Sequence, residues 1–245
     1  MIQKITENLY EISLKNVNAY LIEKGDELIL IDTGSPGDEI KISKALAEIG
    51  RQVSDLTHII VTHCHADHAG SLAALQKLTD APTFMHRIDA KMVEDGRSKR
   101  PMKPGPGLLT KLLFRLFIAP APEHIAPARV DHRIEDGELL TLAGGLRVIH
   151  TPGHSAGHIG LLWETQKVLF AADAIINQPR LNYMLGYEDF SEGKRSAAKL
   201  AQLDFDIACF GHGKPIIGNA AKLFRRKFAD SKSKGSYSTA NRSIA

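Results

Sequence analysis

The stretch Thr62-His63-Cys64-His65-Ala66-Asp67-His68-Ala69-Gly70 follows an apolar run at 56–61. The run reads as a buried strand, and the stretch places three imidazoles and a carboxylate within six residues of its end. Side chains so close in sequence converge in space where a strand breaks into a tight turn. Imidazole nitrogens and carboxylate oxygens gathered in this way suit a transition metal. The plain alternative is a polar loop carrying histidines by chance, and the rest of the chain bears on that choice.

Outward from this stretch, strands and helices alternate. Residues 9–14, 17–23 and 27–32 read as short strands, the last two joined by a turn at Lys24-Gly25-Asp26. Ile42, Ala45, Leu46 and Ile49 recur at helical spacing before Gly50, and Leu72, Leu75 and Leu78 mark a second amphipathic helix. A later block repeats the pattern. Residues 138–142 and 146–150 form one expected hairpin, and 160–164 with 167–172 another. A helix at 191–203, a strand at 207–210 and a helix at 219–229 follow. Two halves of similar order imply two sheets face to face with helices outside, bringing both sets of loops to one edge. Residues 1–229 are expected to form a single domain, and the Ser-, Lys- and Asn-rich 230–245 a loose basic tail.

The remaining candidate ligands end strands. His154 lies in Thr151-Pro152-Gly153-His154-Ser155-Ala156-Gly157-His158, where Pro152 and Gly153 make a sharp turn. Asp173 ends the apolar run 168–172, where an uncompensated buried carboxylate would cost several kcal/mol. His212 lies in Phe210-Gly211-His212-Gly213 after another apolar strand. Each alone could be a loop residue; together they are hard to place otherwise.

The pattern His63-x-His65-x-Asp67-His68, then His154, Asp173 and His212, resembles the metallo-β-lactamase fold superfamily of metal-dependent hydrolases over roughly residues 5 to 225. The resemblance implies an α/β fold, a four-layer αββα sandwich of two mixed sheets with a dinuclear site at one sheet edge. It also implies two divalent ions, zinc best suited and iron or manganese admissible. One ion would take His63, His65 and His154; the other Asp67, His68 and His212; Asp173 would bridge them. Asp67 is then the natural group to take and pass on a proton. Asp32, Thr62 and Thr151 stand where partners of the ligand histidines, or simple strand-end hydrogen bonds, are expected. His158 reads as structural and Cys64 as packing.

Departures from relatives narrow the chemistry to hydrolysis of a small carboxylic ester, lactone or thioester. Oxygen-reducing diiron relatives carry Glu at the position of His65, and zinc β-lactamases carry Cys or Ser at that of Asp173. Lactonases resembling this ligand set place Tyr three residues after the bridging Asp. Here that residue is Ile176, so Tyr183 or Tyr187 would have to substitute. A phosphodiesterase or nuclease on the same ions, or a redox or regulatory metalloprotein, are the alternative readings.

Hydrophobic residues make up 43% and charged residues 24% of the 245, ordinary for a globular chain, and a net charge of +3 gives no argument for nucleic acid. Two cysteines cannot build a disulfide framework, and no apolar run reaches membrane-spanning length. A cytoplasmic protein is expected, with a small substrate bearing an apolar part, no nucleic acid, and a homodimer as an option. An insertion at 97–127 interrupts the two halves. Its Leu108, Leu109, Leu112, Leu113, Leu116 and Phe117 share a helical face opposite Lys111 and Arg115. The helix is expected to form a lid or a dimer surface, with plain core or a membrane-surface helix as the other readings.

Overall fold

Runs of alternating apolar residues, each bounded by a turn, build a meander at the start of the chain. The computed structural model describes residues 2–229; the basic tail expected at 230–245 lies outside the described residues. Strands β1 (Ile2–Thr6), β2 (Leu9–Leu14), β3 (Val17–Lys24) and β4 (Glu27–Ile31) pair antiparallel in sequence order. Helix α1 (Glu39–Glu48) then crosses over to β5 (His58–Val61), which lies parallel to β4. After α2 (Ala66–Ala69) and α3 (Leu72–Leu75), strand β6 (Thr83–His86) adds in parallel, followed by α4 (Arg87–Glu94). The insertion contributes β7 (Lys103–Pro104) and α5 (Leu108–Leu113) before β8 (His132–Ile134) completes a seven-stranded sheet in the order β1-β2-β3-β4-β5-β6-β8.

The second half opens with β9 (Leu139–Leu140), β10 (Leu146–His150), β11 (Ile159–Trp163) and β12 (Val168–Ala172), all antiparallel. Three short pieces follow, β13 (Ile176–Asn177), β14 (Leu181–Asn182) and β15 (Gly186–Tyr187), the last paired with β7. Helix α6 (Phe190–Leu200) leads to β16 (Ile207–Phe210), parallel to β12, and β17 (Ile216–Ile217) and α7 (Ala220–Phe228) close the fold. The second sheet has six strands in the order β17-β16-β12-β11-β10-β9.

Period-two patterning sorts these strands into four layers. Ile29, Ile31 and Ile60 face Val148, Leu161, Trp163 and Phe170 across the gap between the sheets. Leu28, Leu30, Ile59 and Val61 face the other way, onto Ile42 and Leu46 of α1 and Leu72 and Leu75 of α3. On the far side, Leu162, Leu169 and Ala208 pack under Leu200 of α6 and Phe224 and Phe228 of α7. Strands buried on both faces explain why the central runs are continuously apolar.

Three sequence expectations are corrected. An additional strand, β1, precedes those expected; its apolar Ile2 and Ile5 are three residues apart and show no strand period. The helix expected through Leu78 is a single turn, α3, that ends at Leu75, and Leu78 is exposed. The first hairpin of the second half is shortened by a tight turn at Leu142–Gly144. The insertion helix is not core: Leu108 is 87% exposed, Leu109 68% and Phe117 67%, with Leu112 and Leu116 also facing solvent. The partly buried residues are Thr110, Leu113, Phe114 and Ile118, and the last five residues of the helix, Phe114–Ile118, open into a π-turn. Periodicity locates an apolar stripe but not the neighbour that covers it.

Polar bonds tie the sheets together at one edge. Tyr20 Oη donates to the Phe210 carbonyl at 2.8 Å and accepts the Phe210 N–H at 3.0 Å, all of it buried. Asn18 Nδ2 donates to the Gly213 carbonyl at 2.7 Å. Replacing Tyr20 with Phe strands a buried N–H, so the unfolding free energy in urea is expected to fall by about 1–3 kcal/mol. An unchanged midpoint and slope would show that the bonds contribute nothing net.

Candidate metal centre

Every candidate ligand follows the end of a central strand. His63 and His65 come just after β5, and Asp67 and His68 sit on α2 immediately behind them. His154 follows β10, Asp173 follows β12 and His212 follows β16. Two residues beside the site hold left-handed backbones that L side chains rarely adopt. Asp32 has φ +64° and Ala172 has φ +44°, the latter where the β12–β16 register shifts. The turn at Ala172 redirects the chain so that Asp173, only 2% exposed, faces the other ligands.

The seven side chains meet at one edge. His63 lies within 4.1–5.0 Å, centroid to centroid, of the rings of His65, His68, His154 and His158. His65 Nδ1 is 2.9 Å from His154 Nε2. Asp173 Oδ2 lies 3.2 Å from His212 Nε2, 3.4 Å from His154 Nε2 and 3.5 Å from His68 Nε2. Asp67 Oδ2 is 3.4 Å from His212 Nε2 and, unlike Asp173, its side chain is 42% exposed. Three groups have ligand atoms within metal-binding reach of one another: His63, His65 and His154; His63, His68 and Asp173; Asp67, His68 and His212.

The outer nitrogen of His63, His68, His154 and His212 is anchored, which fixes how each ring is turned. His68 Nδ1 donates to Asp32 Oδ2 at 2.8 Å, His154 Nδ1 to the Gly186 carbonyl at 2.9 Å and His212 Nδ1 to the Asn16 carbonyl at 2.6 Å. His63 Nδ1 stands 3.1 Å from Thr62 Oγ1, which itself donates to Asp32. Asp32 and Thr62 therefore hold candidate ligand histidines. Thr151 does not: its hydroxyl is 2.7 Å from Nδ1 of His158. The other His158 nitrogen accepts the Asp173 N–H at 3.0 Å, so both are occupied structurally.

The electrostatics ask for positive charge. Asp32, Asp67 and Asp173 have only histidines as ion partners, with no Lys or Arg among the described residues. Burial opposes the charged carboxylate of Asp173, yet His212 and His68 outweigh it and hold the group well below the usual range. Burial likewise disfavours charge on His212, but Asp173 and Asp67 push it up to about 10. His68 is raised well above normal in the same way by Asp173 and Asp32. His65 is pushed down to about 3 by burial and then by His154, and burial with the surrounding rings pushes His63 well below normal. The neutral imidazoles offer free lone pairs, and the protons that His68 and His212 hold against Asp173, Asp67 and Asp32 stand where a cation would replace them.

The residues fit divalent ions on two observations. His63 Nε2, His65 Nε2, His68 Nε2 and Asp173 Oδ1 are buried and have no hydrogen-bond partner, which is costly for atoms with nothing to bind. Gly211 leaves open a space that a Cβ would fill: that atom would sit 2.0 Å from Asp173 Oδ1 and 2.7 Å from His68 Cε1.

Sequence reasoning missed the group that aligns the loops. Asp89, fully buried on α4, accepts from the Cys64 N–H, the Ser155 hydroxyl, the Gly157 N–H and Arg100. Arg100 also reaches Glu188 at 3.1 Å, and Glu188 accepts the Ala156 N–H. Burial opposes the Asp89 charge, but Arg100 and the Ser155 hydroxyl keep its carboxyl below the usual range. The hub joins the His63–His65 loop, the His154 loop and the insertion. Its only trace in sequence is an acid in the first turn of an amphipathic helix, which looks like ordinary surface charge.

Residues 12–212 match the family model of the metallo-beta-lactamase superfamily. The uncharacterised protein YobT of Bacillus subtilis (strain 168) is 30% identical over 210 residues, 81% of this chain and 83% of that one. A hydroxyacylglutathione hydrolase of Rhodopseudomonas palustris (strain BisB18) is 28% identical over 165 residues, 67% of this chain and 50% of that protein. A solved metallo-beta-lactamase family protein of Thermus thermophilus superposes with a TM-score of 0.66 at 28% identity, covering 91% of this chain and 80% of that one.

Gly211→Ala tests the cradle. The added methyl displaces Asp173 or His68, so zinc affinity measured against a chromogenic chelator is expected to fall about 10–100-fold while the far-UV circular dichroism is kept. Unchanged affinity would show that ions do not bind beside Gly211.

Proposed function

The chain belongs to the metallo-beta-lactamase superfamily of metal-dependent hydrolases, and we propose that it hydrolyses a small carboxylic ester, lactone or thioester at a dinuclear zinc site. The observation that carries this reading is the convergence of bare imidazole nitrogens and unpaired carboxylate oxygen at one buried edge. His63, His65 and His154 would hold one ion, Asp67, His68 and His212 the other, and Asp173 both. When bound, such ions supply Lewis acidity toward a carbonyl oxygen and a water acidic enough to react near neutral pH.

The chain's own residues do the rest. Asp32 and Thr62 keep His68 and His63 oriented, and the Gly186 and Asn16 carbonyls do the same for His154 and His212. Asp67 Oδ2 is turned toward the ligand groups, and its side chain also meets solvent. His68 and His212 outweigh burial and hold its carboxyl below the usual range, so it is charged at neutral pH and able to orient a water and relay a proton outward.

An acyl substrate is favoured by the surroundings. Phe114 and Ile118 of the insertion pack on Gly186, whose carbonyl anchors His154, so the insertion borders the ligand edge with apolar side chains. The Rhodopseudomonas palustris relative carries the name of an enzyme acting on an acylglutathione. Among acyl substrates, esters and thioesters rank above lactones, because the buried Tyr187 hydroxyl accepts the Met184 N–H at 2.7 Å instead of facing the ligands.

Asp173→Ala is expected to lower zinc from two ions per chain to one, by elemental analysis, and turnover on the order of a thousandfold. Retention of two ions with full turnover would overturn the shared-ligand role. On a panel of aryl esters, thioesters, lactones and a bis-aryl phosphodiester, acyl substrates should be fastest. Activity should rise with acyl length, since each buried methylene is worth about 0.8 kcal/mol. A phosphodiester hydrolysed far faster than any acyl substrate would reverse the assignment.

A further inference from the structure

The insertion combines six cations between Arg97 and Arg115 with five of the ten large apolar side chains that are exposed among the described residues. No acid occurs between Asp95 and Glu123, while Arg97, Lys99, Arg100, Lys103, Lys111 and Arg115 all lie there; the remainder of the chain is net acidic by three. Leu108, Leu109, Leu112, Leu116 and Phe117 project into solvent, and Lys111 and Arg115 are exposed beside them.

This presentation is fixed rather than loose. Ser98 Oγ donates to the Pro122 carbonyl at 2.8 Å, and Lys99 Nζ to those of Ala119 and Ala121 at 3.1 and 2.9 Å, closing the neck of the insertion. Its inner edge rests on Gly186, where a Cβ would come within 2.8 Å of Phe114 and 3.2 Å of Ile118. The inner contacts are thus spent on the fold, and the outer apolar face is left over.

We propose that this outer face docks on an anionic lipid surface. Leu and Phe side chains bordered by Lys and Arg are the composition of a helix that lies in the plane of a bilayer interface, the apolar side chains entering it and the cations meeting lipid phosphates. No helix among the described residues is long and apolar enough to cross a membrane, so the contact is interfacial. A second copy is a poorer occupant. A two-fold interface pairs a patch with itself, setting Lys111 and Arg115 against the same cations with no acid between Asp95 and Glu123 to offset them. Nucleic acid would satisfy the charge but leave four leucines without use.

The test is flotation of the zinc-loaded full chain with phosphatidylcholine vesicles, with and without phosphatidylserine. The protein should float only with the anionic vesicles and be released by salt. Lys111→Glu/Arg115→Glu should lower the bound fraction about tenfold or more. Leu109→Ser/Phe117→Ser should do so as well, although it leaves the charge intact. All four positions are exposed, and an unchanged thermal midpoint and zinc content would show that both variants remain folded. Failure of the unaltered protein to float overturns the proposal, as does equal flotation of both variants. A dimer in sedimentation that Leu109→Ser/Phe117→Ser converts to monomer, without lipid binding, would assign the face to a second copy. None of these outcomes depends on the bond the enzyme cleaves.

Discussion

Two buried carboxylates, Asp32 and Asp173, and the half-exposed Asp67 converge on one sheet edge with no Lys or Arg among the described residues to neutralise them. Positive charge must come from within the histidine cluster or from ions it holds, and the local structure follows from that requirement. The left-handed turns at Asp32 and Ala172 cost roughly 1–2 kcal/mol each and persist because their surroundings leave no alternative. The Asp32 carboxylate accepts from the Thr62 N–H, the Thr62 hydroxyl and His68, three bonds made with its backbone in that turn.

A site assembled from both halves of the chain also needs the halves in register. Hydrophobic contact between the sheets is strong but non-directional, so it cannot by itself align loops to ångströms. Directional bonds do this at two places. Tyr20 and Asn18 of the first sheet grip the chain on either side of His212, at Phe210 and Gly213. Asp89 binds the backbone at Cys64 and Gly157 at once, spacing the His63–His65 loop from the His154 loop. Arg100 keeps that buried acid charged at 2.8 Å, and the pair's value here is positional, since desolvation offsets much of its attraction.

The clustering of the candidate ligands was legible because their identity and their place after apolar runs are both visible in sequence. The layers were legible because Ile29, Ile31, Leu28 and Leu30 alternate between two different neighbours. Asp89, Arg100 and Glu188 were not. Arg100 sits in a basic run that reads as solvated charge, and its partners lie 11 and 88 residues away in sequence. Thr151 misled for a related reason: it adjoins the His154 turn in sequence, but its hydroxyl is taken by His158. Which acceptor a hydroxyl finds is decided by packing that no local pattern records.

The insertion shows the same limit from the apolar side. Its leucines repeat with the period of a buried helix, yet burial went to Leu113, Phe114 and Ile118, because the paired strands β7 and β15 set the helix on Gly186 through that edge. Gly186 is the residue whose carbonyl anchors His154. A side chain there would push Phe114 off the seat, so the glycine serves the insertion and the ligand together. The helix is therefore mechanically part of the ligand edge on its inner side, while its outer side contributes nothing to folding. Five large apolar side chains kept in water beside exposed cations weaken solubility without a compensating internal contact. An external surface, meeting the molecule next to the loop that holds His154, is what such a face is shaped to contact.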